Sequence, residues 1–233
     1  SLPTGKTNPT TFTINSKPMD LVQPKREGYT FEGWSGTDIK EKDTQVTVTA
    51  RPLKDRTYTA NWKENSYTIV FNVEGEVTRG EMKNIPLRYT QETTIPENGY
   101  VCGGYKFVGW RTGGKKSEQK VYQPGDKVSR LCATNNGTVN LYPIWEPCEY
   151  TITFDYQTGN KREKVTCKYK ETYTLPTVNR LGWTFEGWSR SAGSTNVISY
   201  APNVKTAVFE DEKDLTLYAV YKPITSAVFT GQT

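Results

Sequence analysis

The sequence predicts a mainly β or α+β protein built as a tandem array of three small units. Three observations carry this expectation. A seven-residue knot returns three times, as Gly28-Tyr29-Thr30-Phe31-Glu32-Gly33-Trp34, Gly104-Tyr105-Lys106-Phe107-Val108-Gly109-Trp110 and Gly182-Trp183-Thr184-Phe185-Glu186-Gly187-Trp188. Short runs of β-branched and aromatic residues with period two flank each knot, the pattern of half-buried strands. No long segment has the 3.6-residue period of an amphipathic helix, so any helix is short and belongs to connectors such as 176–181.

The second glycines of the knots stand 76 residues apart from Gly33 to Gly109 and 78 apart from Gly109 to Gly187. The repeating unit is therefore a small domain and not a solenoid turn. In order along the chain, Ser66–Phe71 and Tyr150–Phe154 read as opening strands, and Ile85–Thr90 and Lys164–Tyr169 as their hairpin partners. A Pro-bearing connector then leads to the knot, which reads as a strand with Tyr29, Phe31 and Gly33 alternating against Thr30, Glu32 and Trp34. Tyr58–Trp62, Leu141–Trp145 and Leu217–Tyr221 close the units, and Pro143 places an unpaired side on the second closing strand. Between knot and closing strand lie polar, unlike segments, the place for individuality.

Short joins at 63–65 and 146–149 give units at 1–63, 64–147 and 148–223 with a tail at 224–233. Joins of three or four residues restrict motion between units and predict a semi-rigid array. The first unit departs from the pattern. Phe12-Thr13-Ile14 matches a hairpin strand, with nothing before it matching an opening strand. We expect this unit to lack its first strand, leaving an edge that a neighbour or the tail Ala227-Val228-Phe229-Thr230 could cover.

Composition excludes several chemistries. The chain has no histidine, which removes imidazole-dependent catalysis and histidine metal sites. Its net charge of +5 arises from 30 basic and 25 acidic residues dispersed along the chain, so no nucleic-acid patch can be drawn. No apolar stretch is long enough to span a membrane as a helix. The four cysteines, Cys102, Cys132, Cys148 and Cys167, form no Cys-x-x-Cys pair; no metal or other cofactor is indicated. They fit either disulfides of an oxidising compartment or ordinary buried thiols. If bridged, the expected pairs are Cys102 with Cys132 and Cys148 with Cys167, each within its unit.

The glycines of the knots, Gly28, Gly33, Gly104, Gly109, Gly182 and Gly187, have a structural reading as positions of positive φ or close backbone approach. Phe31, Phe107 and Phe185 belong to the same motif. Trp34, Trp110 and Trp188 read as core side chains; the alternative is an exposed platform for sugar rings. Glu32 and Glu186 occupy equivalent positions, but Val108 stands there in the second unit, which argues for a strand face and against a catalytic pair. Tyr122 and Tyr200, in polar loops, are the candidates for ligand contact by stacking.

Together the knot, the opening Tyr-Thr-Ile-x-Phe and the closing Leu-Tyr-x-x-aromatic resemble the Listeria/Bacteroides repeat, or internalin B-type repeat, over roughly residues 10–222. The resemblance implies small β-grasp, ubiquitin-like modules in tandem, in secreted or wall-anchored bacterial proteins. It brings no catalytic residues. The function it implies is a stalk or adhesion-associated spacer, with a host-surface protein, a glycan or adjacent domains of the same polypeptide as partners. A carbohydrate- or mucin-binding module using loop aromatics is the alternative.

Overall fold

The structure, a computed structural model, describes residues 1–113, 116–195 and 198–225, and it is nearly all β. The tail segment 227–230 lies outside the described residues. Among these residues the sole helical element is one 3-10 turn at Lys116–Glu118. No helix forms at 176–181, where one was expected. Backbone groups in that connector bond outward: Leu175 N–H donates to Lys205 O at 2.8 Å, and Pro176 O accepts from the Trp188 indole at 3.0 Å.

The third repeat shows the plan most fully. Its opening strand Glu149–Asp155 pairs antiparallel with the hairpin strand Arg162–Lys168, and parallel with the closing strand Leu215–Pro223. That closing strand pairs antiparallel on its other side with the knot strand Trp183–Ser189. A hairpin plus a parallel return demands a long crossover, which the connector and knot supply. The second repeat repeats this order, with Gly137–Pro147 between the knot strand Tyr105–Thr112 and the opening strand Ser66–Phe71. Its parallel register ends at Leu141 opposite Phe71, so Pro143 lies beyond the last pair and its missing N–H costs no ladder bond there.

In the first repeat the sheet has three strands, Ile39–Asp43, Tyr29–Gly36 and Tyr58–Glu64. No strand precedes Met19–Asp20 among the described residues. Phe12–Ile14, read as a strand from its composition, is not one: Ser16 N–H donates to Thr13 O at 2.9 Å, closing a turn. Without an opening strand beside it, this run has no ladder to join.

Each repeat also has a two-stranded ribbon between the connector before the knot and the segment after it. The pairs are Met19–Asp20 with Thr47–Val48, Thr93–Thr94 with Lys127–Val128, and Thr172–Thr174 with Thr206–Val208. The ribbon bears core residues; in the third repeat Tyr173 and Leu175 lie with Ile152, Phe154, Trp188, Phe209 and Leu217 in one buried cluster.

By its contacts the chain divides into two compact units. One comprises Ser1–Glu74, Gly80–Tyr100 and Gly109–Ile144; the other comprises Gly75–Arg79, Val101–Val108 and Trp145–Thr233. This division does not follow the repeats, because it cuts the one spanning 64–147.

Candidate functional site

The knot was the first candidate for a site, and its geometry is that of a bulged strand. In the first repeat Phe31 pairs with Trp62 and Gly33 with Asn61, so Glu32 is the extra residue; in the third, the register shifts in the same way between Phe185 and Gly187. One extra residue turns the strand over. Phe and Trp, three positions apart, then share one face instead of lying on opposite faces as strict alternation requires. Their rings meet edge to face at 5.5 Å for Phe31–Trp34 and 5.6 Å for Phe185–Trp188.

The second glycine of each knot has a positive φ, +123° at Gly33, +153° at Gly109 and +128° at Gly187, and those of the first and third knots sit at this turn-over. A Cβ at Gly187 would lie 2.2 Å from Tyr200 O, and one at Gly33 2.9 Å from the Asp43 backbone. Only glycine combines that conformation with so close an approach. Trp34, Trp110 and Trp188 are buried. Phe31, Phe107 and Phe185 are half-buried beside them.

Glu32 and Glu186 are the extra residues of their bulges. Glu32 forms an ion pair with Lys42 at 2.7 Å, and the hydrogen bond within it lowers its pKa below the usual carboxylate value.

Tyr122 and Tyr200 are not free loop rings. Tyr122 lies in a strand opposite Trp110, and burial raises its phenol pKa. Tyr200 bridges to Trp188, accepts from Tyr173 OH at 3.1 Å and from Arg190 Nη2 at 3.2 Å, and Arg190 Nη1 donates to Asp211 at 2.7 Å. Burial and the Tyr200 hydroxyl raise the pKa of Tyr173, while the Asp211 hydrogen bond raises that of Arg190. The arrangement fixes Tyr200 as a strut of the fold.

All four cysteines are free thiols, so the expected bridges are not formed. The hairpin register gives the reason for one pair: Cys167 stands opposite Tyr150, and Cys148 lies before the strand begins. Burial raises the thiol pKa of Cys102 and Cys167, which lowers their reactivity. Among the described residues no cluster of three or more Cys, Asp or Glu is placed to hold a metal ion.

The first glycines of the knots, Gly28 and Gly104, have a second role that spacing did not reveal. A Cβ at Gly28 would lie 2.0 Å from the ring of Tyr89, and one at Gly104 2.3 Å from the ring of Tyr169. Each tyrosine follows directly on the hairpin strand of the next repeat. The linker residue closes the seam on both sides. Asn65 N–H donates to Gly28 O at 2.9 Å and Asn65 O accepts from Tyr89 N–H at 2.8 Å; Cys148 N–H donates to Gly104 O at 2.8 Å and Cys148 O accepts from Tyr169 N–H at 2.9 Å. The recurrence of Tyr89 and Tyr169 two residues beyond a buried hairpin position was the sequence signal available.

These features define a class, an all-β repeat protein whose second and third units share one strand order and whose two joins share one seam. The Listeria–Bacteroides repeat domain matches residues 67–142 and 150–220, and the divergent InlB B-repeat domain matches residues 23–66. The chain belongs to the Listeria–Bacteroides repeat family. Among similar proteins, a candidate Gly-rich membrane protein of Evansella cellulosilytica is 26% identical over 177 residues, covering 72% of this chain and 20% of that protein. A second candidate membrane protein of the same organism is 26% identical over 199 residues, covering 84% and 27%. Internalin H of Listeria monocytogenes is 30% identical over 115 residues, covering 48% and 20%. The chain thus spans between a fifth and about a quarter of the length of these relatives. Both matching families are repeat-domain families, not enzyme families.

Proposed function

We propose that this chain is a non-enzymatic spacer region of a bacterial surface or secreted protein, made of β-grasp-type modules with boundaries near 63, 147 and 223. It would hold neighbouring domains of the same polypeptide at a distance, outside the cell. The observation that carries this reading is the seam: the same glycine–tyrosine packing and the same pair of linker hydrogen bonds occur at Asn65 and at Cys148. A joint reproduced with unlike linker residues is what a stack needs and a ligand site does not.

The strand order supports the module type, since hairpin, parallel return and knot follow one another identically in the second and third repeats. The relatives named as membrane proteins and an internalin support the location. Adhesion would then belong to flanking domains, with a host-surface protein or glycan as their target. Small-angle scattering tests the reading. A spacer gives an elongated particle on the order of 100 Å long from modules of this size; a compact particle that binds a glycan on an array would replace it with the carbohydrate-binding alternative.

A further inference from the structure

Two of the three first glycines are covered by a tyrosine ring, and the third has no ring over it among the described residues. Gly182 has φ +77°, against +75° at Gly28 and +73° at Gly104, so its backbone is set in the same conformation. Among the described residues nothing lies within 4 Å of a Cβ built there. The linker bond is nevertheless made, with Ile224 N–H donating to Gly182 O at 2.9 Å. Ile224 therefore occupies the place of Asn65 and Cys148, and its carbonyl is the counterpart of the two that accept a tyrosine N–H.

The surroundings match a seat as well. Leu181 is fully exposed, so a partner that covers it would remove its apolar side chain from water. Its counterpart Gly103 is covered: a Cβ there would lie 2.1 Å from the Glu212 carboxylate of the following repeat. Trp183 takes the position of Tyr29 and Tyr105, whose rings pack edge to face on Tyr89 at 6.4 Å and Tyr169 at 5.3 Å. Arg180 lies over the Trp183 ring at 4.3 Å, as Arg26 lies over Tyr29 at 3.7 Å, so the aromatic is held ready from one side.

We propose that Leu181, Gly182, Trp183 and Ile224 form a docking seat for a further repeat of this family, which enters with the tyrosine that ends its opening hairpin. The occupant is a repeat and not an unrelated partner, because the seat is made of a backbone carbonyl, a bare glycine and an aromatic edge in the arrangement that receives this tyrosine twice already. It is not a second copy of this chain, whose two tyrosines of this kind, Tyr89 and Tyr169, are seated at Gly28 and Gly104. The inference rests on the spacer reading, and its test separates the two.

The test compares the 233-residue chain with an extended chain in which Ile224 is followed by a copy of residues 149–223. Amide exchange at Leu181–Trp183 is expected to slow by about tenfold or more in the extended chain, because opening then requires the new repeat to leave. Gly182→Ala should lower the melting temperature of the extended chain more than that of the original, since the local cost of positive φ is common to both. Replacing the tyrosine of the added copy by alanine should return exchange to the original rate, while the phenylalanine variant should retain the protection. Equal exchange in the two chains, equal effects of Gly182→Ala, or an added copy that does not fold beside an intact Gly182 would each overturn the proposal. Any of these results alongside an elongated scattering profile for the original chain would leave the spacer reading standing.

Discussion

The third and first repeats carry almost the same knot and place it in unequal surroundings. In the third repeat the Trp188 indole donates to Pro176 O, and the ring is packed by Phe154, Tyr156 and Phe185. In the first, Trp34 meets Phe31, its Nε1 has no hydrogen-bond partner among the described residues, and the sheet has no opening strand beside the closing one. The comparison teaches that the knot brings Phe and Trp together locally through its bulge, whereas the depth of the core depends on the hairpin laid against the closing strand. Asn65 partly makes up the difference, donating to Ala133 O at 2.7 Å and accepting from Thr30 Oγ1 at 2.5 Å, so that the first repeat leans on the second.

The largest expected effect is at the tryptophans. Trp188→Ala should cost about 3–5 kcal/mol, the usual penalty for emptying a fully packed aromatic site. Trp34→Ala should cost less than about 3 kcal/mol, since fewer atoms surround it and no indole hydrogen bond is lost. Urea unfolding followed separately for the two repeats checks the ordering, and equal losses would break the comparison. Gly187→Ala comes next, with about 2–3 kcal/mol from positive φ and a collision with a backbone carbonyl. Gly33→Ala, where the Asp43 backbone lies 2.9 Å from the built Cβ rather than 2.2 Å, should cost less than Gly187→Ala but more than the roughly 1 kcal/mol of strain alone; thermal melts read the difference.

A smaller effect belongs to alkaline pH. Burial, with the Glu163 hydrogen bond second, pushes the Tyr156 phenol up to about 12. A folded value above the unfolded one of about 10 means that the contribution is complete below the unfolded pKa and is lost as pH rises through the folded one. The third repeat should therefore loosen between about pH 10 and 12, visible as phenolate absorbance appearing together with loss of near-ultraviolet circular dichroism. Tyr156→Phe should blunt that transition. The smallest effect is that of a reductant. With four free thiols, the melting temperature should be unchanged by dithiothreitol, and non-reducing mass spectrometry should count four alkylatable cysteines after denaturation.

Much of the architecture was legible in the residues. The strands of the second and third repeats lie where period-two runs such as Ser66–Phe71 and Leu217–Tyr221 place them, because those runs sit on two-faced ladders that enforce alternation. The knot escaped the same logic: alternation puts Phe31 and Trp34 on opposite faces, and a bulge is a register event between two strands that one strand's sequence does not display. The ribbons were missed because two or three residues, such as Thr93–Thr94, carry no period. The seam was half visible. The first glycines were recognised as conformational, but the ring standing over each belongs to another repeat more than 60 residues away, a distance that local pattern does not cover. Tyr122 and Tyr200 have the polar flanks of loop aromatics, yet Tyr122 ends a two-residue strand on the knot strand and Tyr200 makes a single bridge to Trp188.

The central claim is that the recurring knot closes a core and does not display a ligand platform. Hydrogen exchange of the three knot indoles, Trp34, Trp110 and Trp188, resolved by nitrogen-15 NMR, tests it most directly. The account predicts slow exchange at all three, with Trp188 protected to the free energy of unfolding its repeat and Trp34 the fastest of them. Indoles that exchange as rapidly as free tryptophan, and whose resonances shift on addition of a sugar, would contradict it.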